Sequence, residues 1–321
     1  MSKAREINEA MDLANPSDPP PDYITATRAH GVPLRQSAPV RKGPFPLELP
    51  ILSYLRSKRV ILASASPRRR ALLTQIGLTN LEVIPSNEPE DLDKKAYTPE
   101  EYVAATAQRK CLAVYRAALD RQREAAEKKN KNNNNDDDDD DDDEKGDKGE
   151  TAGPGARELE EPAVVIAADT VIATRGGQVL EKPRSEAEHV RMLKHLRDTG
   201  RHRVLTGVCV LAPRADAAHP GYALASHVEE TRVFFAAADA GLPDDVVESY
   251  VRTREGADKA GGYAIQGVGG LLLVDRVDGP VDNVVGLPVR RCLQLCEKVV
   301  FRQGQHDDED DEDEGEDDGR D

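Results

Sequence analysis

The sequence predicts a mixed α/β domain, in which helices flank a central sheet that is not purely parallel. Three observations carry that reading. From Arg59 onward, short apolar runs bounded by turn residues alternate with helix-opening signals. Two of those signals, Thr98–Glu101 and Ser185–Glu188, are capping boxes. In the middle, Val204–Leu211 and Tyr222–Phe235 alternate like paired strands around a loop.

In chain order, residues 1–56 are rich in proline and charge, with Pro19, Pro20 and Pro21 in a row, and are expected to form a disordered extension. The folded domain is expected over 57–302. Val60–Ala63 reads as a buried strand. Ser66 and Pro67 then open a helix, because serine is a preferred N-cap and proline at the first helical position forfeits no hydrogen bond. Leu72, Leu73 and Ile76 form its apolar stripe, and Gly77 ends it. Leu81–Pro85 is a second strand. The Thr98 box opens a long helix toward Lys128, with Val103, Ala107, Leu112 and Val114 at apolar spacing in its first half. An Asn/Asp-rich insertion at about 130–160 cannot build a core and is expected to loop out.

Ala163–Ala173 is a continuous apolar strand interrupted only by Asp169 and Thr170. The Ser185 box gives a helix through Leu196, with Gly200 behind it. Pro243 begins another that reaches Val251, Leu271–Val274 is a further strand, and the last helix runs over about Leu287–Val300. Residues 303–321 are an acidic tail, also expected to be disordered.

The net charge of -16 is concentrated outside this pattern. Asp136–Glu144 supplies nine acidic residues and Asp307–Asp321 twelve, leaving 39 acids against 43 lysines and arginines in the rest of the chain. A slightly basic remainder suits a site that receives phosphates, although ordinary scatter of surface charge gives the same balance. Four Phe, eight Tyr and no Trp make a base-stacking surface improbable, and no nucleic-acid-binding motif is present, so nucleic acid is not an expected partner. Met1–Asn15 carries charge throughout and is no secretory signal. No stretch approaches the ~20 apolar residues of a membrane helix. Cys111, Cys209, Cys292 and Cys296 show neither a CxxC pair nor zinc-finger spacing and read as small core residues. A reduced, cytoplasmic protein fits.

Two segments stand out chemically. Ser64-Ala-Ser66-Pro67-Arg68-Arg69 lies where a strand turns into a helix. Helix N-termini present unpaired N–H groups and partial positive charge, and arginine offers two-pronged bonds to phosphate, so this corner is a candidate phosphate cradle. A capping serine followed by solvated arginines is the plainer alternative. Asp169 is the second anomaly, a carboxylate embedded in an apolar strand, costly to desolvate unless paired, metal-bound or at the strand's open end. It holds a cation or orients a water on one reading. On the others it accepts hydrogen bonds from a neighbouring loop, or the strand ends at Ala168 and Asp169 turns outward. Thr170 either bonds substrate or simply favours the strand.

Lys182 and Lys259 stand beside turn residues, and Lys110 lies on the inward side of the long helix; each has a surface-lysine alternative. The glycine-rich stretch Gly261–Gly270 matches neither a P-loop nor a dinucleotide fingerprint. Gln266 within it carries an amide that can complement the N–H and carbonyls of uracil or thymine, or is an ordinary loop residue.

Together, Ser64-Ala-Ser-Pro-Arg-Arg69, Ala168-Asp-Thr170, Leu180-Glu-Lys-Pro183, Asp258-Lys-Ala-Gly-Gly-Tyr-Ala-Ile-Gln-Gly267 and Asn283-Val-Val-Gly-Leu-Pro288 resemble, in order, the motifs of the Maf family of nucleoside triphosphate pyrophosphatases. The resemblance runs from about Val60 to Val300 apart from the insertion. It implies a mixed sheet with a cleft between two lobes, a divalent metal (Mg2+ or Mn2+) and a homodimer. It also implies cleavage of dTTP, UTP or modified pyrimidine triphosphates between the α and β phosphates. Asp169 falls at the catalytic proton acceptor. Arg69, Thr170 and Gln266 fall at positions that set base preference, and Glu90, Lys110 and Lys182 match further polar positions of the cleft. On this reading Ser64, Ser66, Arg68, Arg69, Lys110, Lys182 and Lys259 bind the substrate, while Asp169 and Glu90 hold the metal. Pro89 stands where members often carry a second acid. The alternatives are a pyrophosphatase of 7-methyl-GTP, whose branch has an acid in place of Gln266, and a non-catalytic regulator of cell division.

Overall fold

The computed structural model describes residues 47–88, 92–93, 96–133, 160–214 and 221–302, with the long helix's side chains described as far as Glu127. The structure places a helix, α1 (Pro50–Ser57), inside the stretch expected to be disordered. Ile51, Leu52 and Leu55 are fully buried on its inner side, against Val60, Leu62, Leu73 and Leu295. The folded part therefore starts earlier than residue 57. A single amphipathic turn pair hidden among prolines falls short of a periodic signal, and tertiary packing supplies its stability.

β1 (Val60–Leu62) leads to α2 (Pro67–Gln75), which ends in a Schellman motif: Leu78 N–H donates to the Leu73 carbonyl and Gly77 N–H to that of Thr74, with Gly77 at φ +92°. β2 (Leu81–Val83) follows, and then α3 (Pro99–Asn133). At its start the capping box closes as the sequence implies, Glu101 N–H donating to Thr98 Oγ1 (3.2 Å) and Thr98 N–H to Glu101 Oε2 (2.8 Å). β3 (Val164–Thr174) and β4 (Val179–Leu180) come next, then α4 (Glu186–Thr199), capped by Ser185.

β5 (Arg201–Pro213) and β6 (Tyr222–Phe235) form the expected antiparallel pair, in register from Arg201 opposite Phe234 to Pro213 opposite Tyr222. α5 (Asp244–Arg252), α6 (Val268–Leu272), β7 (Val274–Asp278), α7 (Val281–Val285) and α8 (Val289–Phe301) complete the chain. Where Leu271–Val274 is expected as a strand, Leu271 and Leu272 instead close α6 and are exposed. The cause is remote in sequence. The carboxylate of Glu255 accepts from the N–H groups of Val268 and Gly269 (2.9 Å each) and so opens a helical turn there.

The seven-stranded sheet runs β2-β1-β3-β5-β6-β7, with β4 beside β3. β1 is parallel to β2 and β3, while the β3–β5, β5–β6 and β6–β7 pairs are antiparallel, so the sheet is mixed. Side chains alternate between its faces. Ile166, Ala168, Val208 and Val210 pack with α1, α2 and α8, and Val165, Ala167, Cys209 and Leu211 with α3. A third cluster joins Ile172, Val204 and Val233 to α4 and α5. All four cysteines are free and buried. Among the described residues no helix is long and apolar enough to cross a membrane. The expected insertion, tail and most of the amino-terminal extension lie outside the described residues.

Candidate active site

The short length of β1 creates the site. β5 covers one edge of β3 from Val165 to Thr174, but on the other edge β1 stops opposite Ile166 and β4 begins only at Ile172. Between them Ala167–Val171 has no neighbouring strand on that side among the described residues. β3 nonetheless continues straight through Asp169, so the alternative in which the strand ends at Ala168 does not apply. A cavity of about 480 Å3 occupies the gap.

Ten of the eleven candidate residues line this cavity: Ser64, Ser66, Arg68 and Arg69 from the strand-to-helix corner, Lys110 from α3, Asp169 and Thr170 from β3, Lys182 after β4, and Lys259 and Gln266 from the glycine-rich segment. Glu90 lies outside the described residues.

Lys110 Nζ donates to Asp169 Oδ1 at 2.8 Å, with both side chains 13% exposed. A largely buried carboxylate is thereby given a cationic partner inside an apolar strand, as its burial requires. The close approach of α3 is permitted by Gly207, which sits opposite Asp169 on β5: a β-carbon there would overlap the Val103 carbonyl. Lys110 projects from the same helix two turns further on.

The guanidinium of Arg69, on the cavity wall, also cross-links the elements around it. Its Nε donates to the Gly286 carbonyl (2.7 Å), Nη1 to Ser64 Oγ (3.0 Å) and Nη2 to Thr170 Oγ1 (2.9 Å), tying α2, β1, β3 and α7 together. Ser66 holds the N-cap position of α2 but its hydroxyl makes no capping bond; its N–H instead donates to Ser64 Oγ (3.2 Å). Thr170 Oγ1 lies 2.9 Å from Thr206 Oγ1, and Thr206 donates to the Asn283 carbonyl (3.1 Å). Asn283, fully buried, donates to the carbonyls of Val204 and Glu229 and to Thr231 Oγ1.

The far wall is the motif after α5. Lys259 Nζ donates to the Glu255 carbonyl and to Asp258 Oδ1, both at 2.6 Å, and its ammonium holds Asp258 below the usual carboxylate range. Although burial pushes Glu255 up, the Gly269 and Val268 N–H groups draw it below the ordinary glutamate value. Tyr263 lines the cavity, with His202 Nε2 behind it at 2.8 Å from the phenol oxygen. Burial pushes His202 down to about 3, so the ring is neutral. Gln266 sits exposed in a turn.

Five cationic side chains thus surround the cavity against two carboxylates, Asp169 and Asp258. Lys110 and Lys259 are already paired. Arg68 and Lys182 make no ion pair among the described residues, which leaves them to an incoming polyanion. Sequence reasoning gave no role to Thr206 or Asn283. Asn283 lies in a recognised motif, but a threonine alternating along a strand gives no signal of its own.

Among the described residues no three His, Cys, Asp or Glu side chains converge on a metal cage. That donor set fits magnesium-type binding, which needs only one or two carboxylates together with substrate phosphates, and Asp169 is placed to supply one.

The family model for Maf-like protein matches residues 59–299. Over 276 residues the chain is 39% identical to a protein of Schizosaccharomyces pombe named dTTP/UTP pyrophosphatase, covering 85% of this chain and 97% of that one. Proteins of the same name from Deinococcus radiodurans (37% identity, 74% of this chain and 91% of that one) and Thermoanaerobacter sp. (33%, 75% and 96%) are similar over the same core. With its motifs gathered around one cavity and the match spanning almost the whole described fold, the chain belongs to the Maf-like protein family.

Proposed function

We propose that this chain is a nucleoside triphosphate pyrophosphatase that hydrolyses the α–β bond of UTP or dTTP, or of a modified pyrimidine triphosphate, to the monophosphate and pyrophosphate. The observation that carries the reading is the Asp169–Lys110 pair on the wall of a cavity lined by five cationic side chains against two carboxylates, with two of the cations, Arg68 and Lys182, making no ion pair among the described residues. A triphosphate carries three to four negative charges and matches that imbalance.

Arg68, Lys182 and Lys259 bind the phosphates with Ser64 and Ser66, a positioning task that supplies much of the catalysis in phosphoryl transfer. Lys110 holds the Asp169 carboxylate in place through their 2.8 Å ion pair. Asp169 then accepts the proton of a water attacking the α phosphorus, and the Pα–O bond to pyrophosphate breaks. Asp169, with Glu90 as the second carboxylate the family resemblance implies, would hold a divalent cation, which when bound would supply charge neutralisation at the phosphates. Gln266 in place of an acid favours a pyrimidine over 7-methyl-GTP. The same proposal includes a homodimer and a reducing cytoplasm, in which four buried free thiols stay reduced.

The test is a panel of triphosphates incubated with the purified chain and magnesium, scored for pyrophosphate. Release from UTP and dTTP, with the matching monophosphate, is expected. Orthophosphate as the product, or no turnover of any triphosphate, rejects the reading.

A further inference from the structure

The hydrogen-bond chain behind the cavity fixes the direction of two hydroxyl protons, those of Thr206 and Thr170. Thr206 is fully buried on β5, directly opposite Thr170 on β3. A hydroxyl has one proton to donate and two lone pairs to accept with. The proton of Thr206 goes to the Asn283 carbonyl, which cannot donate. The 2.9 Å bond between the two threonines is therefore made by the proton of Thr170. Thr170 also accepts from Arg69 Nη2. Its donor is consumed and one lone pair remains, on a residue that lines the cavity.

Gly286 places no side chain beside that oxygen. A β-carbon at position 286 would stand 3.5 Å from Thr170 Oγ1 and 3.6 Å from Arg69 Nε, and the residue sits at φ +125°, where side chains are disfavoured. The cavity thus offers at this point an acceptor that cannot become a donor.

We infer that Thr206 is a specificity-determining positioning residue: it locks Thr170 as an acceptor, so that the cavity favours a ring with an N3–H, uracil or thymine, over cytosine, whose N3 has only a lone pair. Two facing lone pairs would leave both unsatisfied, whereas N3–H completes the chain. The inference rests on the cavity being a nucleotide site. Replacing Thr206 by a residue without a hydroxyl releases the Thr170 proton, which then turns to the cavity and serves cytosine.

The experiment measures calorimetric binding of the non-hydrolysable α,β-imido analogues of UTP and CTP to the full chain and to Thr206→Val, Thr206→Ala and Thr206→Ser. Melting temperatures are read alongside, and the alanine variant stands in should the isosteric valine misfold. The intact chain is expected to prefer the UTP analogue, Thr206→Ser to keep that preference, and the two hydroxyl-free variants to lose about 5-fold or more of it, chiefly by gaining affinity for the CTP analogue. A folded hydroxyl-free variant with the original preference overturns the inference, as does an intact chain with none. Pyrophosphate release from UTP is followed in parallel. Its absence rejects the proposed reaction, while the binding comparison still decides the role of Thr206.

Discussion

Asp169 and Lys110 lie 59 residues apart in sequence and meet at 2.8 Å, so the chemistry of the site depends on a contact between two elements. Asp169→Asn preserves shape and hydrogen bonding but cannot take up a proton or balance the ammonium. It is expected to fold, with kcat down on the order of 100-fold or more, the range typical for loss of a general base. A circular dichroism melt beside the kinetics separates that loss from unfolding. Gln266 tests base reading at the mouth of the cavity. Gln266→Glu removes the amide donor and sets a negative charge toward a base carbonyl, so kcat/KM for UTP and dTTP should fall about 5- to 150-fold, the equivalent of roughly 1–3 kcal/mol, while CTP and GTP change less. Parallel losses on all four would show that Gln266 only braces its turn. These residues were legible before the fold because their motifs recur in order along the chain. The cross-links of Arg69 were not, since only the folded structure brings Gly286 and Thr170 to its guanidinium.

At the scale of elements, the site is a gap in strand pairing with a helix brought unusually close. The sequence betrays β3 through its apolar run and α3 through its capping box. It gives no warning that β1 stops three residues in, which is what opens the edge of β3. Gly207 is the hinge of the second feature. Adding a methyl group there drives a β-carbon into the backbone of α3, and neither backbone can yield cheaply. Gly207→Ala should cost about 1–3 kcal/mol of stability and draw Lys110 away from Asp169, lowering turnover as well. Urea denaturation checks the first effect and kcat the second. A contact remote in sequence likewise accounts for α6. Apolar Leu271 and Leu272 suggest a strand, but two N–H groups captured by distant Glu255 bend the chain into a helical turn.

For the molecule as a whole, the mixed sheet and its hairpin follow from periodicity and caps, whereas α1 shows how a few buried residues extend a domain past its apparent edge. Ile51, Leu52 and Leu55 are surrounded by prolines that dilute any local signal, yet the three side chains close one face of the core. Stability of the whole fold should also depend on His202. Its folded value of about 3 lies below the ordinary 6.5, so between those values the unfolded chain binds the additional proton. Stability from this group is present above pH 6.5 and is lost as pH falls toward 3, at up to about 1.4 kcal/mol per pH unit. His202→Gln, which cannot be protonated, should flatten that slope between pH 6.5 and 4.5 in denaturation series, whatever it does to the absolute value.

The proposed reaction turns on attack of water on the α phosphorus beside Asp169. Hydrolysis of UTP by the full chain in isotopically labelled water, with the products resolved by mass spectrometry, tests it most directly. The label is predicted in the monophosphate, one atom per turnover, with unlabelled pyrophosphate. Label in the pyrophosphate would place the attack on the β phosphorus and rule that reaction out.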